Sequence, residues 1–160
     1  MNSSVAIRRA VAADLERAAE LAGALVRMHH GADSGRFFLP ERVEQGYAWW
    51  FRRELERKEA VILVATRGEL VVGYAYGTIE ERNWNALLDE HGAIHDIFVD
   101  ETARRSGLGQ KLVRALIAEL EGLGAQRIVL STMVDNQAAQ RVFLACGFRP
   151  TMIEMTRNGG

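Results

Sequence analysis

Two apolar periods alternate along the chain, one of about 3.6 residues and one of two, and their succession predicts a mixture of helices and strands. A short strand is expected over Val5 to Arg8. From Asp14 onward Leu15, Ala18, Ala22, Leu25 and Val26 fall on one face of a first helix. The polar stretch Gly31 to Leu39 reads as a loop, and Pro40 suits the start of a second helix. Its Val43, Tyr47, Trp50, Phe51 and Leu55 share a face, and it ends near Lys58.

Ala60 to Thr66 and Leu70 to Ile79 then predict an antiparallel hairpin turning at Arg67-Gly68-Glu69. Glu80 to Glu90 reads as a loop and Gly92 to Val99 as a strand. Leu108, Leu112, Leu116 and Leu120, four residues apart, mark a third long helix stopped by Gly122 and Gly124. The remainder predicts a strand over Arg127 to Thr132, a helix from Asn136 to Cys146 and a last strand around Met152 to Thr156. No internal repeat or low-complexity linker interrupts this order. An α/β (α+β) fold with a mixed sheet is expected, as one domain over residues 1–160.

Composition narrows the function classes. Apolar residues make up 48% and charged residues 26%, which fits an ordinary globular chain. Twenty Lys and Arg against twenty-one Asp and Glu give a formal charge of -1, so no global field draws nucleic acid or an anionic membrane. The first residues lack the apolar core of a secretory signal, and no run reaches the roughly 20 apolar residues of a membrane span. A cytoplasmic location is the expectation. Cys146, the sole cysteine, lies on the apolar stripe of a short helix, where packing is its expected role.

The sharpest chemical signal is Arg104-Arg105-Ser106-Gly107-Leu108-Gly109-Gln110, a glycine-containing loop that opens into a helix directly after a strand. Small residues let the backbone approach a ligand, the first amides of the helix are free, and the helix dipole favours an anion. A P-loop would need Gly-Lys-Ser/Thr and a dinucleotide fingerprint a third glycine; Gln110-Lys111-Leu112 supplies neither. On its own the loop reads equally as a helix that merely begins with arginine and glycine.

It does not stand alone. Val99 ends a strand five residues before Arg104, and Asn136-Gln137-Ala138-Ala139 opens a segment that closes at Gly147-Phe148. With these motifs the chain resembles the GNAT superfamily of N-acetyltransferases, whose central motif is Arg/Gln-x-x-Gly-x-Gly/Ala after a strand ending in Val and whose next motif runs Asn-x-x-Ala to Gly-Phe. The resemblance is specific from Ile94 to Phe148. It implies a mostly antiparallel sheet flanked by about four helices, with acetyl-CoA bound where two parallel strands, ending at Val99 and Thr132, splay apart. It also implies pyrophosphate on the backbone of Arg105, Ser106, Gly107, Leu108, Gly109 and Gln110 with Arg104 adding charge, pantetheine along Ile97, Phe98 and Val99, and Asn136 binding the pantetheine arm.

The same resemblance implies transfer of an acetyl group to an amine. An alkyl ammonium, with a pKa near 10.4, must lose a proton before it can attack. His95 stands where relatives commonly place a Glu or His base, and histidines ordinarily titrate near 6.5. Strand alternation places Asp96 on the opposite face, in a structural role. A backbone amide of Phe98 or Val99 is the implied oxyanion donor. Phe143 departs from the family, since many relatives carry a tyrosine there to meet the leaving thiolate. A non-catalytic acyl-CoA-binding module is the alternative that this departure raises.

The resemblance implies an acceptor pocket between the two-helix region and the loop after the third strand. His29, His30, Arg36, Phe37, Phe38, Tyr47, Trp49, Trp50, Asn83, Trp84 and Asn85 are its candidates, with Tyr47, Trp50 and Phe51 read first as core contacts. Glu80, Glu81, Asp89 and Glu90 can attract a cationic amine or simply be solvated. No metal is expected, because His29 and His30 are helical neighbours that point apart. Relatives commonly form homodimers.

Overall fold

A computed structural model describes residues 4–160. Five strands form one sheet in the order of the chain: β1 Val5–Arg9, β2 Ala60–Arg67, β3 Leu70–Glu80, β4 His91–Val99 and β5 Ile128–Leu130. The first four pair antiparallel and β5 joins β4 in parallel, which gives the mixed, mostly antiparallel sheet expected. Four helices flank it: α1 Leu15–Ala32, α2 Val43–Glu54, α3 Leu108–Gly122 and α4 Gln137–Ala145.

The central strands are buried on both faces, and this explains why Ala60 to Ala65 is continuously apolar rather than alternating. Ile62, Val64, Tyr74, Tyr76 and Phe98 face α1 and α2, where they meet Leu15, Ala18, Leu21 and Phe51. Val61, Leu63, Val72, Ala75 and Ile94 face α3 and its four-residue leucine ladder, Leu108 to Leu120.

Helix boundaries move slightly from the sequence reading. Ala12–Asp14 forms a 3-10 turn before α1, whose last turn absorbs Gly31 and Ala32. Pro40 precedes α2 by a turn instead of opening it, and α2 ends at Glu54. The larger correction is the last strand. Residues 149–160 form no strand, and Met152, Ile153 and Met155 are exposed. β5 itself is three residues long and, among the described residues, pairs with β4 alone. A strand exists only when a neighbour takes up its backbone groups, and β-propensity does not supply that neighbour.

Candidate functional site

A defect in strand pairing builds the site. β3 pairs Tyr76 with Asp96 but Gly77 with Ile94, so His95 is an extra residue on β4, a β-bulge. Gly77 sits at the break because the sheet is tight there: a Cβ would lie 2.8 Å from the Ala93 carbonyl oxygen and 3.3 Å from Leu116 and Leu120. The bulge overturns simple alternation. Asp96 does not face away from His95; both line one cavity of about 680 Å³ beside α2.

Phe38, Pro40, Val43, Tyr47, Trp50 and Tyr76 wall that cavity, with Arg42, Arg57, Glu80, His95 and Asp96 as its charged or titratable members. Of the three aromatics first read as core, Phe51 is buried in it, Tyr47 packs against it from the cavity wall, and Trp50 is exposed. Trp84, Asn83 and Asn85 line a separate recess of about 610 Å³ that shares Arg57 and Glu80. His29 and His30 each donate from Nδ1 to a carbonyl, of Leu25 and Phe37, both at 2.8 Å. Among the described residues no cluster of His, Cys, Asp and Glu is arranged to hold a metal.

β3 furnishes a polar ladder at every second residue, Tyr74, Tyr76, Thr78 and Glu80, along the face that meets β4's bulge. Tyr74 donates to Asp96 at 3.1 Å and Tyr76 to the buried Glu54 at 2.5 Å, while Arg57 neutralises Glu54 at 2.9 Å. Thr78 Oγ1 lies 2.7 Å from His95 Nε2 and 2.5 Å from Glu80 Oε1. The Tyr76 ring lies 5.1 Å from the imidazole, centroid to centroid. Burial pushes the Asp96 carboxyl above its ordinary value, against the pull of the Tyr74 hydrogen bond and the neighbouring histidines. Burial also pushes the Tyr47 and Tyr74 phenols up, with the Asp96 charge adding to it, so both stay neutral. Tyr74, Tyr76 and Thr78 escaped the sequence reading; the available signal was a hydroxyl at alternate strand positions.

On the other edge of β4, pairing with β5 ends at Ile94–Leu130. From His95 to Val99, through Ile97 and Phe98, β4 has no strand on that side among the described residues, so the two parallel strands part there. The loop that follows carries two left-handed residues, Arg105 at φ 61° and Gly107 at φ 73°. The first helical bond of α3 runs from the Lys111 amide to Gly107 O at 3.1 Å, leaving the amides of Leu108, Gly109 and Gln110 ahead of it. No side chain caps this end, and a Cβ at Gly107 or Gly109 would meet nothing within 4 Å. The backbone here is open to a ligand.

The other motif residues hold this shape. Arg104 donates from Nε to Val99 O at 3.0 Å and covers the Phe98 ring, tying the loop to the strand end. Ser106 donates to Ala103 O at 2.7 Å. Asn136 caps α4, its Oδ1 accepting from the Ala139 amide at 3.1 Å. Phe143 packs edge-on against Phe148, 6.0 Å between centroids, so no hydroxyl stands at that point. Burial raises the Cys146 thiol, which packs against the α3 core.

Known proteins share this architecture. An aminoglycoside N-acetyltransferase, AAC(6')-Iy, solved in complex with CoA, superposes over 99% of this chain and 97% of its own with a TM-score of 0.76 at 19% identity. A Bacillus halodurans protein solved as a tetramutant does so over 96% and 99% with a TM-score of 0.81 at 21% identity. Mycothiol acetyltransferase of Corynebacterium diphtheriae is 28% identical over 99 residues, covering 62% of this chain. The matched stretch is 30% of that relative, so the chain spans only part of the length of the curated protein it matches. The profile described as "Acetyltransferase (GNAT) family" matches residues 24–148, well over half of the chain, and the protein belongs to the GNAT family of acetyltransferases.

Proposed function

We propose that the protein transfers an acetyl group from acetyl-CoA directly to a primary amine, of a small molecule or a protein, bound in the cavity beside α2. The observation that carries this reading is the pairing of two open features on opposite sides of one strand. β4 meets the parted β5 edge and the α3 amides on one flank and the His95 cavity on the other. A thioester lying across β4 at Ile97 to Val99 would bring its carbonyl to the amine.

The cofactor side fits by chemistry. The uncapped amides of Leu108 to Gln110, the positive φ of Arg105 and Gly107 and the open space above Gly107 and Gly109 make a cradle for a pyrophosphate. On the edge away from β3, the backbone of Ile97 to Val99 can pair with the pantetheine amides. Asn136 commits Oδ1 to the cap, which leaves its Nδ2 to donate to the arm. Arg104 acts on the anion from its tether to Val99, and Phe143 offers the cofactor an apolar contact only.

For transfer, the substrate ammonium gives one proton to His95 and the free amine adds to the thioester carbonyl. The C–N bond forms and the C–S bond breaks. The thiolate takes the electron pair and the remaining excess amine proton, directly or through water, and the imidazolium returns its own to solvent. Proximity and backbone polarisation supply most of the acceleration. A CoA thiolate is a far better leaving group than an alkoxide, so Phe143 does not forbid this step. The absent hydroxyl does favour a second reading, a module that binds acyl-CoA without turnover.

Gly107→Val tests the cofactor side. A β-branched residue is strained at φ 73° and crowds the cradle. CoA is expected to raise the Tm of the parent protein and not that of the variant; equal protection of both would remove the loop from the site.

A further inference from the structure

Three atoms of different residues meet at the back of the cavity. Thr78 Oγ1 is 2.5 Å from Glu80 Oε1 and 2.7 Å from His95 Nε2, and the latter two are 3.6 Å apart. Thr78 is 1% exposed, so water does not compete for its hydroxyl. The bulge at His95 is what brings the imidazole to the sheet face that carries the Thr78 and Glu80 side chains rather than to the α3 face.

Hydrogen-bond valence then fixes a direction. An ionised carboxylate only accepts, and a threonine hydroxyl has one proton to give. Given to Glu80, that proton is not available to the imidazole, so Thr78 Oγ1 must accept from His95 Nε2–H. A neutral imidazole carries a proton on one nitrogen only. Nδ1 therefore holds the lone pair, and it has no hydrogen-bond partner among the described residues.

We infer that Glu80 and Thr78 are positioning residues that lock His95 as the Nε2–H tautomer and so make Nδ1 the atom that receives the substrate's proton. This rests on the reading of His95 as the base. When Nδ1 takes the ammonium proton, Nε2–H keeps its bond to Thr78, and the Glu80 carboxylate faces the new positive charge without itself being protonated. The Tyr76 ring holds the imidazole plane in place throughout.

The tautomer is visible without turnover. Long-range proton–nitrogen NMR of protein labelled with nitrogen-15 histidine, near pH 8, should show a pyridine-like Nδ1 and a pyrrole-like Nε2 for His95, assigned by its loss in His95→Gln. In Glu80→Ala the freed hydroxyl can turn onto Nε2, and the signature should move toward Nδ1–H. Thr78→Val, nearly the same shape, should lower kcat on the order of 10- to 100-fold, as loss of an orienting partner does at metal-bound histidines, with KM for the amine little changed. Thr78→Ser should restore both kcat and the signature. An Nδ1–H signature in the parent protein, or Thr78→Val with unaltered kcat and tautomer, would overturn the inference. If His95→Gln itself leaves acetyl transfer intact, the base reading fails first. If His95 is essential but carries Nδ1–H, only the tautomer lock fails.

Discussion

The centre of the sheet and its β5 end are built to different standards. From β2 to β4, nearly every inward side chain is buried against α1 and α2 or against α3. At the β5 edge the strand has three residues and α4 nine, none of them fully buried, and the chain runs on with Met152 88%, Ile153 80% and Met155 89% exposed. Catalytic geometry depends on positions held to fractions of an ångström, and the polar ladder of Tyr74, Tyr76, Thr78 and Glu80 lies in the rigid part. The parted edge of β4, the α3 amides and α4 border the open part, where the proposed function would have a long cofactor enter and leave. The same sheet thus combines a closely packed candidate site with a yielding flank, since segments with few buried contacts open at low free-energy cost.

Truncation inside each part would break or sharpen this contrast. Phe51→Ala empties a fully buried site between α2 and the Tyr74 and Tyr76 rings, and is expected to cost about 3–5 kcal/mol in denaturant unfolding. Leu144→Ala on α4, at a residue 54% exposed, should stay within about 0.5 kcal/mol. Deleting residues 151–160 removes one exposed ion pair, Arg36 with Glu154, and should likewise cost no more than about 1 kcal/mol. A cost at Leu144 comparable to that at Phe51 would mean that the C-terminal flank is covered in solution.

A smaller effect probes the site itself. Burial raises the Asp96 carboxyl in the folded protein, whereas an unfolded Asp titrates near 3.9. Below that value both states are protonated and the group contributes nothing. As pH rises through it, the unfolded state releases its proton first, so folding loses stability up to the raised folded value and stays lower above it. Asp96→Asn should therefore raise Tm at neutral pH, with the gain vanishing as the pH is lowered toward about 4. A loss of Tm at neutral pH would instead mean that the carboxylate is held ionised and favourably paired.

The fold and the open glycine loop ahead of α3 were legible in the sequence because both are written locally. The leucine spacing of α3, the buried run of β2 and the two motifs at Arg104–Gln110 and Asn136–Phe148 each carry their own signal. What misled was pairing. Alternation assigned Asp96 to the wrong face because a bulge inserts one residue, and the available hint was a glycine, Gly77, inside the neighbouring strand. The final strand failed for the complementary reason, since Met152 to Thr156 has strand-like residues but no neighbour to pair with. The His95–Thr78–Glu80 contact depends on both register and bulge, so no spacing rule contains it.

Acetyl transfer is tested most directly by acceptor-dependent release of thiol from acetyl-CoA across a broad panel of primary amines, measured for the parent protein and for His95→Gln. The expected result is release that requires an amine, with kcat/KM reduced about 10²-fold or more in the variant while its fold and CoA binding persist. CoA binding with no amine-dependent release from the parent protein, over the whole panel, would contradict acetyl transfer and leave a protein that holds acyl-CoA without using it.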